Sequence, residues 1–183
     1  EDTKNAIKSA YALALAKKPE GVQISSWRNL LLYGPPGTGK TLLAAATAGN
    51  LEATFFNVKV SSLLSKYFGE STKLISALFA VARTLSPAVI FLDEFESLTP
   101  SRGSGESGSE RRIVSTLLAE LDGLQGKDDD SFVMTICATN LPWLLDLAIL
   151  SRFQRRIYVP LPDPTAREAI LGILSLIHIS EPT

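Results

Sequence analysis

An α/β domain with a mostly parallel sheet is the fold class this sequence predicts, and three observations carry the prediction. Short apolar runs alternate along the chain with segments whose apolar residues recur at helical spacing. One run, Ala88, Val89, Ile90, Phe91, Leu92, is apolar without interruption, as a parallel strand is when helices cover both its faces. A glycine-rich stretch beginning at Gly34 stands between an apolar run and a helix-forming run, the order of a strand, a loop and the helix of a right-handed crossover to the next parallel strand. With 183 residues, 45% of them hydrophobic and 20% charged, the chain is about one domain with room for a core.

Taken in order, residues 1–18 place Ala6, Ile7, Ala10, Tyr11, Ala14 and Leu15 at helical spacing with lysines between, which predicts an amphipathic helix stopping before Pro19. A helix that starts with the first residue is expected to have sequence upstream of it. The first strand ends on Leu30, Leu31, Leu32, Tyr33, and the run Leu42, Leu43, Ala44, Ala45, Ala46 predicts the next helix. Residues 54–58 are rich in β-formers and read as a strand, and residues 61–68 as a short helical or irregular segment ending at Gly69. Over residues 70–85 the pairs Leu74 with Leu78 and Ile75 with Phe79 form a helical stripe, which Pro87 closes. The apolar strand then ends on Asp93 and Glu94. Residues 99–108 bury almost nothing and predict a loop, and Ile113, Val114, Leu117, Leu118 and Leu121 predict a helix over 110–121. A strand over 132–138, a short helical stretch over 144–150 and a strand over 156–159 follow. Asp163 and Pro164 supply the N-cap and first position of a last helix.

Eighteen basic against nineteen acidic residues leave no general basic excess, which argues against a dedicated nucleic-acid binder. The single cysteine, Cys137, lies in an apolar run, permits no internal disulfide and points to a cytoplasmic location. No apolar run is long enough to span a bilayer. Residues 174–183 look like the translation of a transposase adapter used in sequencing libraries, so the natural sequence is expected to stop near Ile173, and the lone histidine, His178, goes with the tail.

Chemistry concentrates in Gly34, Pro35, Pro36, Gly37, Thr38, Gly39, Lys40, Thr41, which matches G-x-x-x-x-G-K-[ST]. The prolines stiffen the loop, and the N–H groups of residues 37–41 are free to converge on a phosphate at the positive end of the following helix. Lys40 is expected on the β- and γ-phosphates and the Thr41 hydroxyl on Mg²⁺. Asp93 and Glu94 leave a strand on the same side of the sheet, where Asp93 can hold Mg²⁺ through its water shell and Glu94 can polarise the water that attacks the γ-phosphate.

Together with the phosphate loop, the run from Val89 to Glu94, the triplet Ala138, Thr139, Asn140 and residues 151–162 resemble the AAA ATPases over nearly all of residues 1–173. Pro142, Trp143 and the run from Arg152 to Pro162 are most similar to the meiotic clade, with katanin, spastin, the ESCRT-disassembling ATPase and archaeal relatives of the last. The resemblance implies a P-loop NTPase fold with strand order 5-1-4-3-2, ATP and Mg²⁺ as ligands, and a homohexamer with ATP between neighbours. It makes Asn140 a sensor that bridges γ-phosphate and water, and Arg152 and Arg155 fingers that reach the neighbouring subunit's ATP. Lys66, Tyr67, Phe68 and Gly69 match a pore loop that grips an extended polypeptide, and residues 101–110 fall where a second pore loop lies. Two departures stand out: Ser151 replaces an arginine common in the clade, and Glu96 a commoner aspartate. The implied organisation is a large nucleotide-binding subdomain over residues 1–163, the start of a truncated helical lid over 164–173, and the adapter tail over 174–183. The implied activity is ATP hydrolysis coupled to remodelling, disassembling or unfolding a protein threaded through the ring. A proteasome-type unfoldase, a nucleic-acid motor or loader, and a nucleotide-dependent scaffold without turnover are the alternatives. Against a scaffold stand Glu94 and Arg152, for which it has no use.

Overall fold

Residues 28–66, 70–99, 108–124 and 131–180 are described by a computed structural model of the chain. Five strands, β1 Asn29–Tyr33, β2 Thr54–Lys59, β3 Ala88–Asp93, β4 Val133–Thr139 and β5 Arg155–Tyr158, form one parallel sheet. Its order is β2-β3-β4-β1-β5, the expected 5-1-4-3-2 read from the other edge. The helices are α1 Lys40–Asn50, α2 Val60–Lys66, α3 Ser71–Thr84, α4 Gly108–Gly123, α5 Leu147–Leu150 and α6 Pro164–Ser180. Short 3-10 turns lie at Phe95–Leu98 and Pro142–Leu144.

Side chains two apart in a strand share a face, so the sheet's apolar strands divide their residues between two cores. Leu30, Leu32, Val89, Phe91, Met134 and Ile136 pack on one side with Ala44 and Ala48 of α1. Leu31, Ile90, Leu92, Val133 and Cys137 pack on the other against Ile75 and Phe79 of α3 and Leu117 and Leu121 of α4. This two-sided burial is why β3 and β4 show no polar alternation. Burial pushes the Cys137 thiol well above its usual range, leaving an inert small hydrophobe.

The short helical stretch predicted over 144–150 holds as α5 over Leu147–Leu150, set apart from the 3-10 turn that ends at Leu144. Asp146 starts α5 by turning its backbone extended and accepting the Ile149 N–H at 2.7 Å as an N-cap. Asp163 caps α6 as expected, accepting the Ala166 N–H at 2.7 Å, and this helix runs through Ser180, past the point near Ile173 where the natural sequence is expected to stop. The predicted helix over 1–18, the loop residues 101–107 and the tail residues 181–183 lie outside the described residues.

Candidate active site

Parallel register aligns the carboxyl ends of the central strands. Tyr33 pairs with Thr139, so Gly34 and Asn140 leave β1 and β4 side by side, and the Gly34 N–H donates to the Thr139 carbonyl at 3.3 Å. A Cβ on Gly34 would stand 2.2 Å from the Val159 carbonyl oxygen, so only glycine lets the loop pass this close to the segment after β5. Gly39 takes φ 82° in open space, where the left-handed backbone itself is the reason for glycine. Standing as the N-cap of α1, it brings no capping side chain, so the first-turn N–H groups face the loop with the positive end of the helix behind them.

Lys40 opens α1 and is only 7% exposed. Its Nζ donates to the carbonyls of Gly34 at 3.0 Å and Pro35 at 2.8 Å, and to Asn140 Oδ1 at 2.7 Å. Thr38 Oγ1, itself bonded to the Pro35 carbonyl, lies 3.5 Å away. Burial lowers the Lys40 pKa, and the negative charges of Asp93 and Glu96 oppose that shift. The loop and Asn140, a hundred residues apart, are thus joined through one ammonium group.

Asp93 ends β3, and its Oδ1 accepts the N–H of Glu94 at 2.9 Å. Glu94 takes φ 55°, which turns the chain sharply into the 3-10 turn. Its carboxylate accepts from Lys59 Nζ at 3.2 Å, at the carboxyl end of β2, and from Ser61 Oγ, in the first turn of α2. These hydrogen bonds, Ser61 first, hold the Glu94 pKa below the usual carboxylate range. Glu96, two residues on, points one oxygen 3.5 Å from the Asn140 backbone nitrogen, and its other oxygen is buried with no hydrogen-bond partner among the described residues.

Arg152 and Arg155 are elsewhere. Arg155 opens β5, and Arg152 lies in the loop before it, its carbonyl accepting from the side chain of Asn29, the first residue of β1. Both therefore sit at the amino end of the sheet, a strand length of about 16 Å from the phosphate loop of the same chain. Arg152 Nε is 2.9 Å from Asp122 Oδ1, a close ion pair but not an aligned hydrogen bond.

α2 ends at Lys66, whose side chain, like Tyr67, Phe68 and Gly69, falls outside the described residues. Reading along the chain missed Lys59 and Ser61 beside Glu94, and Asn29 and Asp122 beside Arg152. Signals existed for two of them. Asn29 is a polar residue opening an otherwise apolar strand, and Asp122 places a negative charge in the last turn of α4, against the helix dipole, where it calls for a cation.

The donors at the carboxyl ends of β1 and α1's first turn suit the phosphates of a nucleotide. Among the described residues no three His, Cys, Asp or Glu side chains could hold a metal ion by themselves. A magnesium ion would fit such a site, since it needs only one or two protein groups: Thr41 could offer its hydroxyl and Asp93 could hold the ion through its water shell, with phosphate completing it.

Comparison with known proteins agrees. The model of the ATPase family associated with various cellular activities (AAA) matches residues 30–161. Spastin of Drosophila persimilis is 51% identical over 147 residues, which cover 80% of this chain and 19% of that protein. A katanin p60 ATPase-containing protein of Xenopus tropicalis is 50% identical over 151 residues, covering 81% of this chain and 28% of that protein. Among solved structures, the FIGL-1 AAA domain in complex with ADP superposes with a TM-score of 0.79 at 40% identity, covering 94% of this chain and 57% of that one. The chain thus spans less than a third of the curated relatives it matches.

Proposed function

Since this chain belongs to the AAA family of ATPases, we propose that it is the large nucleotide-binding subdomain, residues 1–163, of a homohexameric motor that hydrolyses ATP to remodel a protein substrate. The observation that carries the reading is the Lys40–Asn140 contact of 2.7 Å, which gathers phosphate loop and sensor at one end of the sheet beside Asp93 and Glu94. Residues 164–173 begin the helical lid, and residues 174–183 are adapter-derived. A cytoplasmic location rests on a lone buried thiol, Cys137; among the described residues no helix is long and apolar enough to cross a membrane.

In this reading, Gly34, Pro35, Pro36, Gly37, Thr38 and Gly39 shape the cradle, and their N–H groups with the α1 dipole bind the phosphates. Lys40 exchanges its carbonyl partners for β- and γ-phosphate oxygens, keeping Asn140 in line to hold the attacking water. Thr41 and Asp93 hold Mg²⁺, which when bound neutralises charge on the phosphates. Glu94 orients and polarises the water. Arg152 and Arg155 stabilise developing charge on the neighbouring subunit's ATP, which fits their distance from the cradle of their own chain.

Glu94 has to leave Lys59 to do this. Their pair is exposed, 60% and 37%, so it restrains Glu94 by about 0 to 1 kcal/mol at most. Lys59→Ala is therefore expected to raise basal turnover by up to about fivefold, read as steady-state phosphate release. A fall in turnover would mean that Lys59 assists the reaction.

Protein is the preferred substrate class because Tyr67, beside Lys66, Phe68 and Gly69, offers an aromatic grip and the chain has no basic excess. Stimulation of ATPase activity by an unfolded protein and not by DNA is the expected outcome; the reverse would turn the reading to a nucleic-acid motor. Tyr67→Ala should leave basal hydrolysis largely intact and abolish remodelling. Were Tyr67 a core residue, its truncation would cost about 3 to 5 kcal/mol of stability. A large fall in melting temperature with remodelling per folded ring unchanged would refute the pore role.

A further inference from the structure

We infer that Asn29 is a positioning residue for Arg152, its carboxamide tying the loop that carries this arginine to the end of α4. Asn29 is wholly buried although it is polar and opens an apolar strand. Its Nδ2 donates to the Leu121 carbonyl at 3.0 Å and to the Arg152 carbonyl at 3.3 Å. Leu121 lies in the last turn of α4, where helix carbonyls lack intrahelical partners, so the first bond also serves as a C-terminal cap. The Asn29 N–H in turn donates to Gln154 Oε1 at 3.0 Å, a second tie between β1 and the same loop.

These contacts bracket the Arg152–Asp122 ion pair. Asp122 follows Leu121 directly, so one carboxamide holds the backbone on both sides of that pair. Phe153 fixes the third point, edge-on to the buried Phe95 with ring centroids 5.6 Å apart. A loop held at three points can aim a long, partly exposed side chain at a fixed place beyond the molecule. With the Asn29 donor gone, Arg152 keeps its charge and loses its direction, and a misplacement of about 1 Å can reduce a rate by about 10²-fold.

This inference rests on the finger role proposed for Arg152, and its test separates the two. Asn29→Ala in full-length rings is expected to lower turnover by about 10²-fold with little change in KM for ATP, because the phosphate loop is untouched. Mixed with Glu94→Gln subunits, Asn29→Ala subunits should recover activity, since their own intact cradles would face well-placed arginines. Arg152→Ala is run beside it in the same mixtures. Rescue of both variants is the expected result. If Arg152→Ala is rescued and Asn29→Ala is not, the defect lies in the chain's own site and the positioning role is overturned while the finger stands. If Arg152→Ala is not rescued, the finger reading fails and this inference falls with it. Turnover within about twofold of wild type for Asn29→Ala would also overturn it, being far short of the 10² expected. Should Asn29→Ala fail to assemble, Gln154→Ala, which cuts only the second tie, decides by the same mixtures: a fall in turnover of about tenfold, rescued in trans, supports the role, and no fall or an unrescued one overturns it.

Discussion

Glu94→Gln in the full-length protein is expected to bind ATP as the wild type does and to lose turnover by about 10²-fold or more, the usual contribution of a positioned general base. Glutamine keeps the size of the side chain and loses the charge that polarises water. Binding should survive because the proposed phosphate contacts belong to Lys40 and the loop, and the proposed magnesium contacts to Thr41 and Asp93. Loss of the exposed Lys59 pair adds at most about 1 kcal/mol. Because ATP then stays in place, it should also hold rings together, which sedimentation in ATP would show beside an ATP-binding and a phosphate-release assay. The carboxyl of Glu94 is held below its usual range, so it stays ionised through neutral pH. Any stability its partners lend is present above the unfolded pKa and is lost as pH falls through the folded one. Near wild-type phosphate release from Glu94→Gln would show that this carboxylate does not act on water.

What could be read from the chain depended on how locally each feature is encoded. The phosphate loop is a contiguous motif whose glycines answer to backbone demands within the loop itself, and the unbroken apolar run of β3 states its two-sided burial directly. Helices α3 and α4 announce themselves by the period of Ile75 and Phe79, and of Ile113, Leu117 and Leu121. Strand order is different: no residue of β1 declares that β4 and β5 flank it, and the order came through likeness to a family. Contacts across strands stayed hidden for the same reason. Glu94 meets Lys59 only because β2 pairs with β3 in a register that sets Lys59 against Asp93. Asn29 meets Leu121 and Arg152 only because β1, α4 and the loop before β5 converge at the amino end of the sheet. Within residues 144–150 a short helical stretch was legible but its start was not, since Asp146 shows itself as the cap of α5 only by accepting the Ile149 N–H.

The sheet also separates two jobs that a single nucleotide site requires. Its carboxyl end carries Lys40, Asn140, Asp93 and Glu94, and its amino end carries Arg152 and Arg155, about 16 Å away along β1. No rotation of an arginine side chain covers that distance, so if Arg152 serves a phosphate at all, it serves that of another chain. Its partner in this chain, Asp122, is a weak restraint: the two side chains are 35% and 47% exposed, and such pairs are worth about 0 to 1 kcal/mol. A finger that stabilises transition-state charge is worth about 10³ to 10⁵ in rate, or roughly 4 to 7 kcal/mol, so leaving Asp122 costs little by comparison.

Arg152→Ala should accordingly reduce turnover by about 10³-fold or more while its own phosphate loop still binds ATP. Mixing it with Glu94→Gln subunits discriminates between cis and trans action. Neither variant turns over alone, yet an Arg152→Ala protomer placed against the finger of a Glu94→Gln neighbour has an intact Glu94 of its own and a working arginine across the boundary. Activity should therefore return in mixed rings and pass through a maximum as the ratio is varied. An arginine acting in cis would leave every site lacking either Arg152 or Glu94, and mixtures verified to contain both variants would stay inactive at all ratios. That outcome would reassign Arg152 to surface pairing with Asp122, whose removal should then shift stability by no more than about 1 kcal/mol.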